Sequence, residues 1–305
     1  MGLAVNFYSL ADFVFHWFAI FIKIFEVTFS PLIIDAEVDE RGRRSVEYLC
    51  SNQVVRSAVY RCETESTNTL ALSELQLATP ETNSTPRLFL ADRQTAGRGR
   101  RGREWNSDSG TLTFSLIISR EDYDSAEKVA RFCSLAVGVG ISRYLEFEFS
   151  PFNTRLKWPN DVYAAGGKLA GILIEIPAAR PEYLVVGVGL NVETVPEISD
   201  RRGCVGVSGL SHALGRRIER FDLLAGMVGS ILEVISEADR DETQLLMDFR
   251  QRCLLTGQQI EFQTNEGQAS GVCLGLNEFG KLRVLGASGE VEIESGEANL
   301  IRTVG

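Results

Sequence analysis

Apolar and polar positions divide the chain into three parts of different character. Residues 13–34 read FVFHWFAIFIKIFEVTFSPLII, a run rich in aromatic residues and isoleucine. Residues 36–46 are polar and charged, and they predict a linker or loop. Helical and strand-like spacings then alternate up to residue 256, and short strand-like runs follow. The pattern therefore predicts an apolar extension with a linker over residues 1–45, a mixed domain over 46–256 and a small all-β domain over 257–305.

The middle part combines strand-like and helical segments. Runs rich in β-branched and aromatic residues predict strands at residues 54–62, 87–92, 111–118, 155–158, 169–176 and 183–192. Helical spacing predicts helices at residues 70–77, 125–145, 206–214 and 221–253, the last with a break near 239–241. Ser66, Thr67 and Asn68 form an N-cap signal for the first of these helices. We expect an α+β fold with a mixed sheet.

The last part predicts a different architecture. Short strands are expected at residues 259–262, 269–276, 281–285 and 291–293. Asn-Glu-Gly, Asn-Glu-Phe-Gly and Ala-Ser-Gly turns separate them. Strands this short with glycine turns are typical of a small SH3-like β-barrel.

Composition and charge exclude several classes of function. The chain has 305 residues and a net charge of −10, which disfavours non-specific nucleic-acid binding. Its six cysteines form no Cys-x-x-Cys pair and are expected to be reduced thiols of a cytoplasmic enzyme. The two histidines, His16 and His212, belong to no recognisable constellation. A Ser/His/Asp triad and a histidine-ligated metal site are therefore not expected.

The apolar run at residues 13–34 allows three interpretations. Its length suits a membrane span, but His16, Lys23 and Glu26 interrupt it. It lacks the basic start and the small-residue cleavage site of a cleaved signal peptide. The run is a peripheral membrane anchor, an apolar arm that packs on the protein or a partner, or an extension absent from the working protein.

A glycine- and arginine-rich segment carries the strongest chemical signal. It runs Gly97-Arg98-Gly99-Arg100-Arg101-Gly102-Arg103 and is followed by Glu104 and Trp105. Glycines let the backbone approach a ligand closely, and exposed N–H groups with arginines suit a phosphate or a carboxylate. A solvated basic loop or a nucleic-acid patch remains the alternative interpretation of this segment taken alone.

Two further segments point to the same chemistry. Lys157-Trp158-Pro159-Asn160-Asp161 and Gly167-Lys168 predict a hairpin with a lysine on each arm. Two convergent ammonium groups would stabilise charge that develops on the α-phosphate of a nucleotide. The run Val186-Gly187-Val188-Gly189-Leu190-Asn191 carries glycines inside a strand, which mark close approach of a ligand or another group.

Taken in order, these segments resemble the signature set of the biotin–protein ligases. The set comprises Glu65-Ser66-Thr67-Asn68, Gln94 to Arg103 with Trp105, Lys157 to Asp161, Lys168-Leu169-Ala170-Gly171-Ile172-Leu173-x-Glu175 and Gly187-x-Gly189-x-Asn191. The resemblance covers roughly residues 55–305. It implies the mixed-sheet catalytic domain of the biotin/lipoate ligase type followed by an SH3-like barrel.

The resemblance also implies a role for each matched position. For biotin binding it implies Ser66, Thr67, Asn68, Gln94, Arg98, Arg100, Lys168, Gly171 and Leu173. For ATP and adenylate binding it implies Gly97, Arg98, Gly99, Arg100, Arg101, Gly102, Arg103, Trp105, Asn160, Lys168, Asn191 and Arg302. For catalysis it implies Lys168, Arg100 and Lys157, and we add Asp161 as a candidate to orient the acceptor lysine or to accept its proton. It supplies no protein ligand for a metal ion.

The activity implied is formation of biotinyl-5'-AMP from biotin and ATP with Mg²⁺, then transfer of biotin to a lysine. The partner implied is the biotin carboxyl carrier protein of acetyl-CoA carboxylase or a related carboxylase. Residues 1–45 are too short and too apolar for the DNA-binding domain that some members carry, so no DNA partner is expected. The resemblance allows both monomers and homodimers. The alternatives are a lipoate or octanoate ligase or transferase, and a non-catalytic module that binds biotin or nucleic acid.

Overall fold

The architecture is that of a computed structural model, which describes residues 32–77, 85–193, 206–264, 267–294, 296 and 298–301. The greater part of the apolar run at residues 13–34 therefore lies outside the described residues. No helix in the described ranges is long and apolar enough to cross a membrane.

The described residues form helices and strands with the following bounds. The helices are α1 (Glu40–Ser51), α2 (Thr67–Leu77), α3 (Ala126–Glu148), α4 (Leu210–Leu214), α5 (Leu224–Arg240) and α6 (Glu242–Arg252). The strands of the first sheet are β1 (Leu32–Ile34), β2 (Ser57–Thr64), β3 (Arg87–Gln94), β4 (Thr111–Ser119), β5 (Arg155–Lys157), β6 (Asp161–Ala164), β7 (Gly167–Glu175) and β8 (Tyr183–Asn191). Those of the second sheet are β9 (Gln259–Thr264), β10 (Gly267–Leu276), β11 (Leu282–Gly286), β12 (Gly289–Ile293) and β13 (Ala298–Leu300).

The first sheet is mixed, as its sequence pattern predicts. Its strand order is β1-β2-β3-β4-β8-β7-β6-β5 within the described ranges. β1, β2 and β3 run parallel, and every later pair is antiparallel. The second sheet is wholly antiparallel, in the order β12-β11-β10-β9-β13. The fold class is therefore the expected one, a mixed-sheet α+β unit with a small sheet of SH3-like type.

The two faces of the central strands β4 and β8 differ in chemistry. One face presents large apolar residues, such as Phe114 and Leu116, to the main core beneath α3 and α5. The other face of β4 carries Thr111, Thr113 and Ser115 before Ile117, all of them buried. Because side chains alternate along a strand, a small polar region lies on the α2 face of the same sheet.

Helix α5 shows why the hydrophobic spacing is a reliable guide here. Its buried apolar residues are Leu224, Met227, Val228, Ile231, Val234, Ile235 and Ala238, which recur at the spacing of one helical face. The predicted break near residues 239–241 is confirmed. Asp241 has an extended backbone and its side chain accepts from the N–H of Thr243, so it ends α5 and begins α6.

Five points of the sequence prediction need correction. The linker expected at residues 36–46 is helical from Glu40, because Asp39 caps α1 by accepting from the N–H of Arg41 at 2.7 Å. Residues 32–34, expected in the apolar extension, form β1. The hairpin expected between Lys157 and Lys168 contains another strand, so the two lysines lie on β5 and β7 with β6 between them. The predicted helix at residues 206–214 begins at Leu210, and β13 was not expected.

A half-buried ionic network joins α3 to α6 and gives the fold a pH dependence. Burial would raise the pKa of Glu146, but hydrogen bonds from Arg252 and Thr154 outweigh it and hold that pKa below its usual range. A carboxyl whose folded pKa is depressed contributes stability above its unfolded pKa and loses it as the pH falls through the folded value.

We therefore predict that Glu146→Gln lowers the free energy of unfolding at pH 7 by about 1–3 kcal/mol, the usual worth of charged hydrogen bonds. The difference from the unsubstituted protein should shrink as the pH falls from about 4.5 through the lowered folded pKa of Glu146, because below that folded pKa both proteins are uncharged at this position. Urea unfolding of both proteins at several pH values measures this difference in the free energy of unfolding. Glu127→Gln is the control, since Glu127 is 79% exposed in its pair with Arg131. A pH-independent loss for Glu146→Gln would contradict the prediction.

Candidate active site

The largest group of predicted site residues lines one cleft on the α2 face of the mixed sheet. Residues from α2, β3, β5, β6, β7 and β8 contribute to its lining. The predicted residues that line it are Ser66, Thr67, Asn68, Gln94, Arg98, Gly99, Arg100, Arg103, Trp105, Lys157, Asn160, Asp161, Lys168, Gly171 and Leu173. Residues far apart in sequence thus share one site.

The start of α2 is tied to the sheet floor by buried polar contacts. Gln94 Oε1 accepts from the backbone N–H of Thr67 at 2.8 Å and lies 3.2 Å from Thr67 Oγ1. Ser115 Oγ, on β4, lies 2.7 Å from Thr67 Oγ1 and 2.6 Å from Asn68 Oδ1. Satisfied buried networks of this kind are rigid, because breaking one bond leaves polar groups without partners.

Glu175 connects this network to the arginine loop, by which we mean residues 97–105. Its carboxylate forms an ion pair with Arg98 and accepts from Asn68 Nδ2 at 2.8 Å. Asn68 Nδ2 also donates to the carbonyl oxygen of Leu173 at 3.3 Å. Arg98 and Asn68 are consequently positioned by the same residue at the end of β7.

The arginine loop folds back on itself. The N–H of Trp105 donates to Gly97 O at 2.8 Å, and the N–H of Gly99 donates to Arg103 O at 2.7 Å. The loop turns at Arg101 and Gly102, whose φ values of +57° and +72° lie in the left-handed region. Gly97 has no room for a side chain, since a Cβ there would lie 2.3 Å from Trp105 O.

Glycines on β7 and β8 make the floor of the cleft. Gly171 and Gly189 are paired in register, and both lie against the Trp105 ring. A Cβ on Gly189 would approach Trp105 Cε2 to 2.3 Å, and one on Gly187 would approach Asn68 Oδ1 to 2.2 Å. Close packing by Trp105 and Asn68 therefore requires glycine at these positions.

Lys168 lies at the centre of the cleft. Its Nζ is 2.7 Å from Asp161 Oδ1 and 5.6 Å from the centroid of the Trp105 ring. The side chain is 28% exposed, so the ammonium group is accessible from the cleft. Asn191 Nδ2 donates to Lys168 O at 3.3 Å, and its Oδ1 is buried without a partner among the described residues.

The second sheet reaches the same cleft. Lys157 Nζ donates to Asn299 Oδ1 at 2.9 Å, and Arg100 Nη1 donates to Gly296 O at 3.4 Å. Arg100 Nη1 also donates to Asn160 Oδ1 at 3.0 Å, while Asn160 Nδ2 donates to Ile172 O. Contacts from β13 and the residues before it therefore help to position Lys157 and Arg100.

The structure does not bring every predicted residue to the cleft. Gly97, Arg101 and Gly102 lie on the outer groove around the arginine loop, and Asn191 lies behind Lys168. Arg302 lies outside the described residues. Sequence reasoning gave no role to Ser115, Glu175 or Asn299. Glu175 belongs to a quoted motif, but Ser115 is one of several similar residues on β4 and has no local signal.

The charge of the cleft is opposite to that of the chain. Among the described residues, the lining includes the cations Arg98, Arg100, Arg103, Lys157 and Lys168, against the carboxylates of Glu104 and Asp161. The whole chain carries −10. A local excess of positive charge in an acidic protein favours a small anionic ligand over a polyanion. In the same ranges, no three His, Cys, Asp or Glu side chains cluster so that they could hold a metal ion.

Comparison with known proteins agrees with this geometry. The sequence profile of the Biotin/lipoate A/B protein ligase family matches residues 60–191, which contain all the cleft motifs before the second sheet. The biotin–[acetyl-CoA-carboxylase] ligase of Mycobacterium tuberculosis is 32% identical over 198 residues, 64% of this chain and 71% of that protein. The chain belongs to the biotin/lipoate protein ligase family.

Other relatives extend the similarity. The bifunctional ligase/repressor BirA of Bacillus subtilis is 31% identical over 223 residues, which is 70% of this chain and 66% of that protein. A biotin protein ligase from Aquifex aeolicus, solved in complex with biotin and ATP, superposes with a TM-score of 0.66 at 29% identity. That match covers 81% of this chain and 99% of the Aquifex aeolicus chain.

We predict that Gly189→Ala displaces Trp105, because a Cβ at 2.3 Å from Trp105 Cε2 is closer than any real contact. Fluorine NMR of fluorotryptophan-labelled protein detects this displacement as a shift of the Trp105 resonance, which is assigned with the Trp105→Phe variant. Gly229→Ala is the control, since a Cβ there meets nothing within 4 Å. An unchanged Trp105 resonance in Gly189→Ala would contradict the packing described.

Proposed function

We propose that this protein is a biotin–protein ligase, which activates biotin with ATP and transfers it to a lysine of a carrier protein. The observation that carries the proposal is the convergence of Lys168, Arg98 and Arg100 on a glycine-floored cleft. The named activities of the relatives from Mycobacterium tuberculosis and Aquifex aeolicus support it.

The first step requires no nucleophile from the protein. The carboxylate of biotin attacks the α-phosphate of ATP, which gives biotinyl-5'-AMP and releases pyrophosphate. Negative charge on the carboxylate and on the phosphate must be held together, and Lys168 and Arg100 supply the opposing positive charge. Mg²⁺ accompanies the nucleotide phosphates as part of the substrate.

The proposal assigns a binding role to each part of the cleft. Gly171 and Leu173 form the wall against biotin, with Ser66, Thr67, Asn68 and Gln94 at its polar end. We assign adenylate binding to Trp105, Asn160 and the arginine loop, and, from the motif resemblance, to Asn191 and Arg302. Ordering of the arginine loop over the ligand excludes water and protects the mixed anhydride from hydrolysis.

In the second step, an acceptor lysine attacks the acyl carbon of the adenylate and AMP leaves. The partner is the biotin carboxyl carrier protein of acetyl-CoA carboxylase or a related carboxylase, which the relatives' names support. The attacking amine must lose a proton, and Asp161 is the carboxylate in the cleft closest to Lys168. We assign Asp161 the role of proton acceptor and Lys157 that of a phosphate contact.

The organisation of the protein is part of the proposal. Residues 32–256 form the catalytic domain, because β1 and α1 belong to it, and residues 257–305 form the SH3-like domain. The residues before 32 are the N-terminal extension. The protein acts in the cytoplasm and does not bind DNA, in keeping with its net charge of −10. Analytical ultracentrifugation of the protein would decide between a monomer and a homodimer.

A lipoate ligase is the second candidate, because the matching family profile includes both chemistries. The full-length protein should be incubated with Mg-ATP and either biotin or lipoate, and the bound adenylate identified by mass. We predict biotinyl-AMP from biotin and none from lipoate. Lipoyl-AMP would contradict the assignment of substrate, and no adenylate from either acid would favour a binding module.

We predict that Lys168→Ala slows adenylate formation by roughly a hundredfold or more, the usual effect of removing one charge-stabilising group. Single-turnover measurement with saturating biotin and ATP separates this from weaker binding. The control is Lys128→Ala, which breaks the ion pair of Lys128 with Glu242 on the opposite side of the sheet. A near-normal rate for Lys168→Ala would remove Lys168 from the reaction.

A further inference from the structure

Arg220 is a buried arginine in the short 3-10 helix Arg220–Leu223 that precedes α5. It is 8% exposed. Its Nη1 donates to the carbonyl oxygens of Asp92 and Thr111, both at 2.8 Å, and lies 3.3 Å from Asp108 O. A buried guanidinium with backbone carbonyls as its acceptors fixes the course of the chain at those carbonyls.

Those three carbonyls belong to the two ends of one segment. Asp92 lies near the end of β3, two residues before Gln94, and Thr111 begins β4. Between Asp92 and Asp108 the chain forms the arginine loop, with Arg98, Arg100 and Trp105. One guanidinium group therefore joins the strand that enters the loop to the strand that leaves it.

Arg220 is itself held from several directions. Its guanidinium lies 4.4 Å from the centroid of the Phe221 ring, and its Nη2 is 3.6 Å from Asp92 Oδ1. Asp92 in turn accepts from the hydroxyl of Tyr60 and from the N–H of Asp39. Helix α1 secures the other side, since Ser45 Oγ donates to Phe221 O at 2.8 Å.

We propose that Arg220 is a positioning residue for the arginine loop, which acts by fixing both ends of the loop so that ligand need order only its tip. The part of the proposal that concerns catalysis rests on the proposed ligase function. Because fewer degrees of freedom remain to be fixed, the loop closes over the adenylate more often and retains it longer.

Arg220→Lys separates this role from simple charge balance. Lysine keeps a positive charge near Asp92, but its single nitrogen cannot reproduce the planar fork that reaches carbonyls on both strands. If Arg220 only neutralised Asp92, the lysine variant would behave like the unsubstituted protein.

The matched control is Arg87→Lys. Arg87 is also buried, forms an ion pair with Glu74 at 2.8 Å and lies at the opposite end of β3, away from the loop. Both variants retain a site for trypsin at the substituted position, and thermal unfolding measures the stability that each one loses. Ser45→Ala is the milder companion, since it removes only the hydrogen bond to Phe221 O.

Limited digestion with trypsin, with the cut sites located by mass spectrometry, reports the loop without any need for activity. We expect Arg220→Lys to be cut after Arg98, Arg100, Arg101 or Arg103 roughly tenfold faster than Arg87→Lys, the effect of losing one or two hydrogen bonds. Ser45→Ala should change in the same direction by less, and carries the test alone if Arg220→Lys does not fold.

The second readout is the rate at which biotinyl-AMP is lost from the protein. Arg220→Lys should lose it several-fold faster than Arg87→Lys, with a smaller change in the rate of adenylate formation. Equal cutting of the loop and equal retention in the two arginine variants would overturn the proposal. Absence of adenylate in the unsubstituted protein would instead refute the ligase function, and the digestion result would still decide the role of Arg220.

Discussion

Gly171 and Gly189 lie side by side on neighbouring strands, and neither position has room for a side chain. Most of the cleft depends on that constraint. The Trp105 ring packs where those side chains would be, and Trp105 in turn closes the base of the arginine loop through its bond to Gly97. Lys168 packs over the same ring and is thereby held at the centre of the cleft.

The rest of the mixed sheet supports this arrangement through the alternation of its strands. On β8, Leu184, Val186, Val188 and Leu190 belong to the main core, while Tyr183 and Val185 pack under α2. One face of β8 thus packs in the main core and stabilises the fold. The other face packs under α2 and then carries only glycine, at residues 187 and 189. The core packing and the floor of the cleft therefore lie on opposite faces of β8, so a substitution on one face need not disturb the other.

The charged side chains of the cleft are also positioned by contacts within the protein. The protein is acidic overall, yet the cleft gathers arginines and lysines from three separate segments of the chain. Arg98 pairs with Glu175 and Lys168 with Asp161, while amide or carbonyl oxygens accept from Arg100 and Lys157. Such partners fix the positions of the cations before an anionic substrate binds, which lowers the cost of organising them.

Much of the fold was predictable because its elements have strong hydrophobic spacing, as α5 and β4 show. Helix α1 was missed because it is mostly polar outside Val46 and Leu49, although Asp39 and Glu40 gave a helix-start signal. Strands β6 and β13 are short and gain their partners from tertiary structure. The cleft residues were found through motif resemblance, whereas Ser115 and Arg220 could not be, because their contacts join segments far apart in sequence.

The most direct test of this account is a crystal structure of the protein with biotin and a non-hydrolysable analogue of ATP. The account predicts both ligands in the cleft between the glycines of β7 and β8 and the arginine loop, with Lys168 turned from Asp161 toward the carboxylate or the α-phosphate. Ligands bound elsewhere, or Lys168 still paired with Asp161 and out of contact with them, would contradict it.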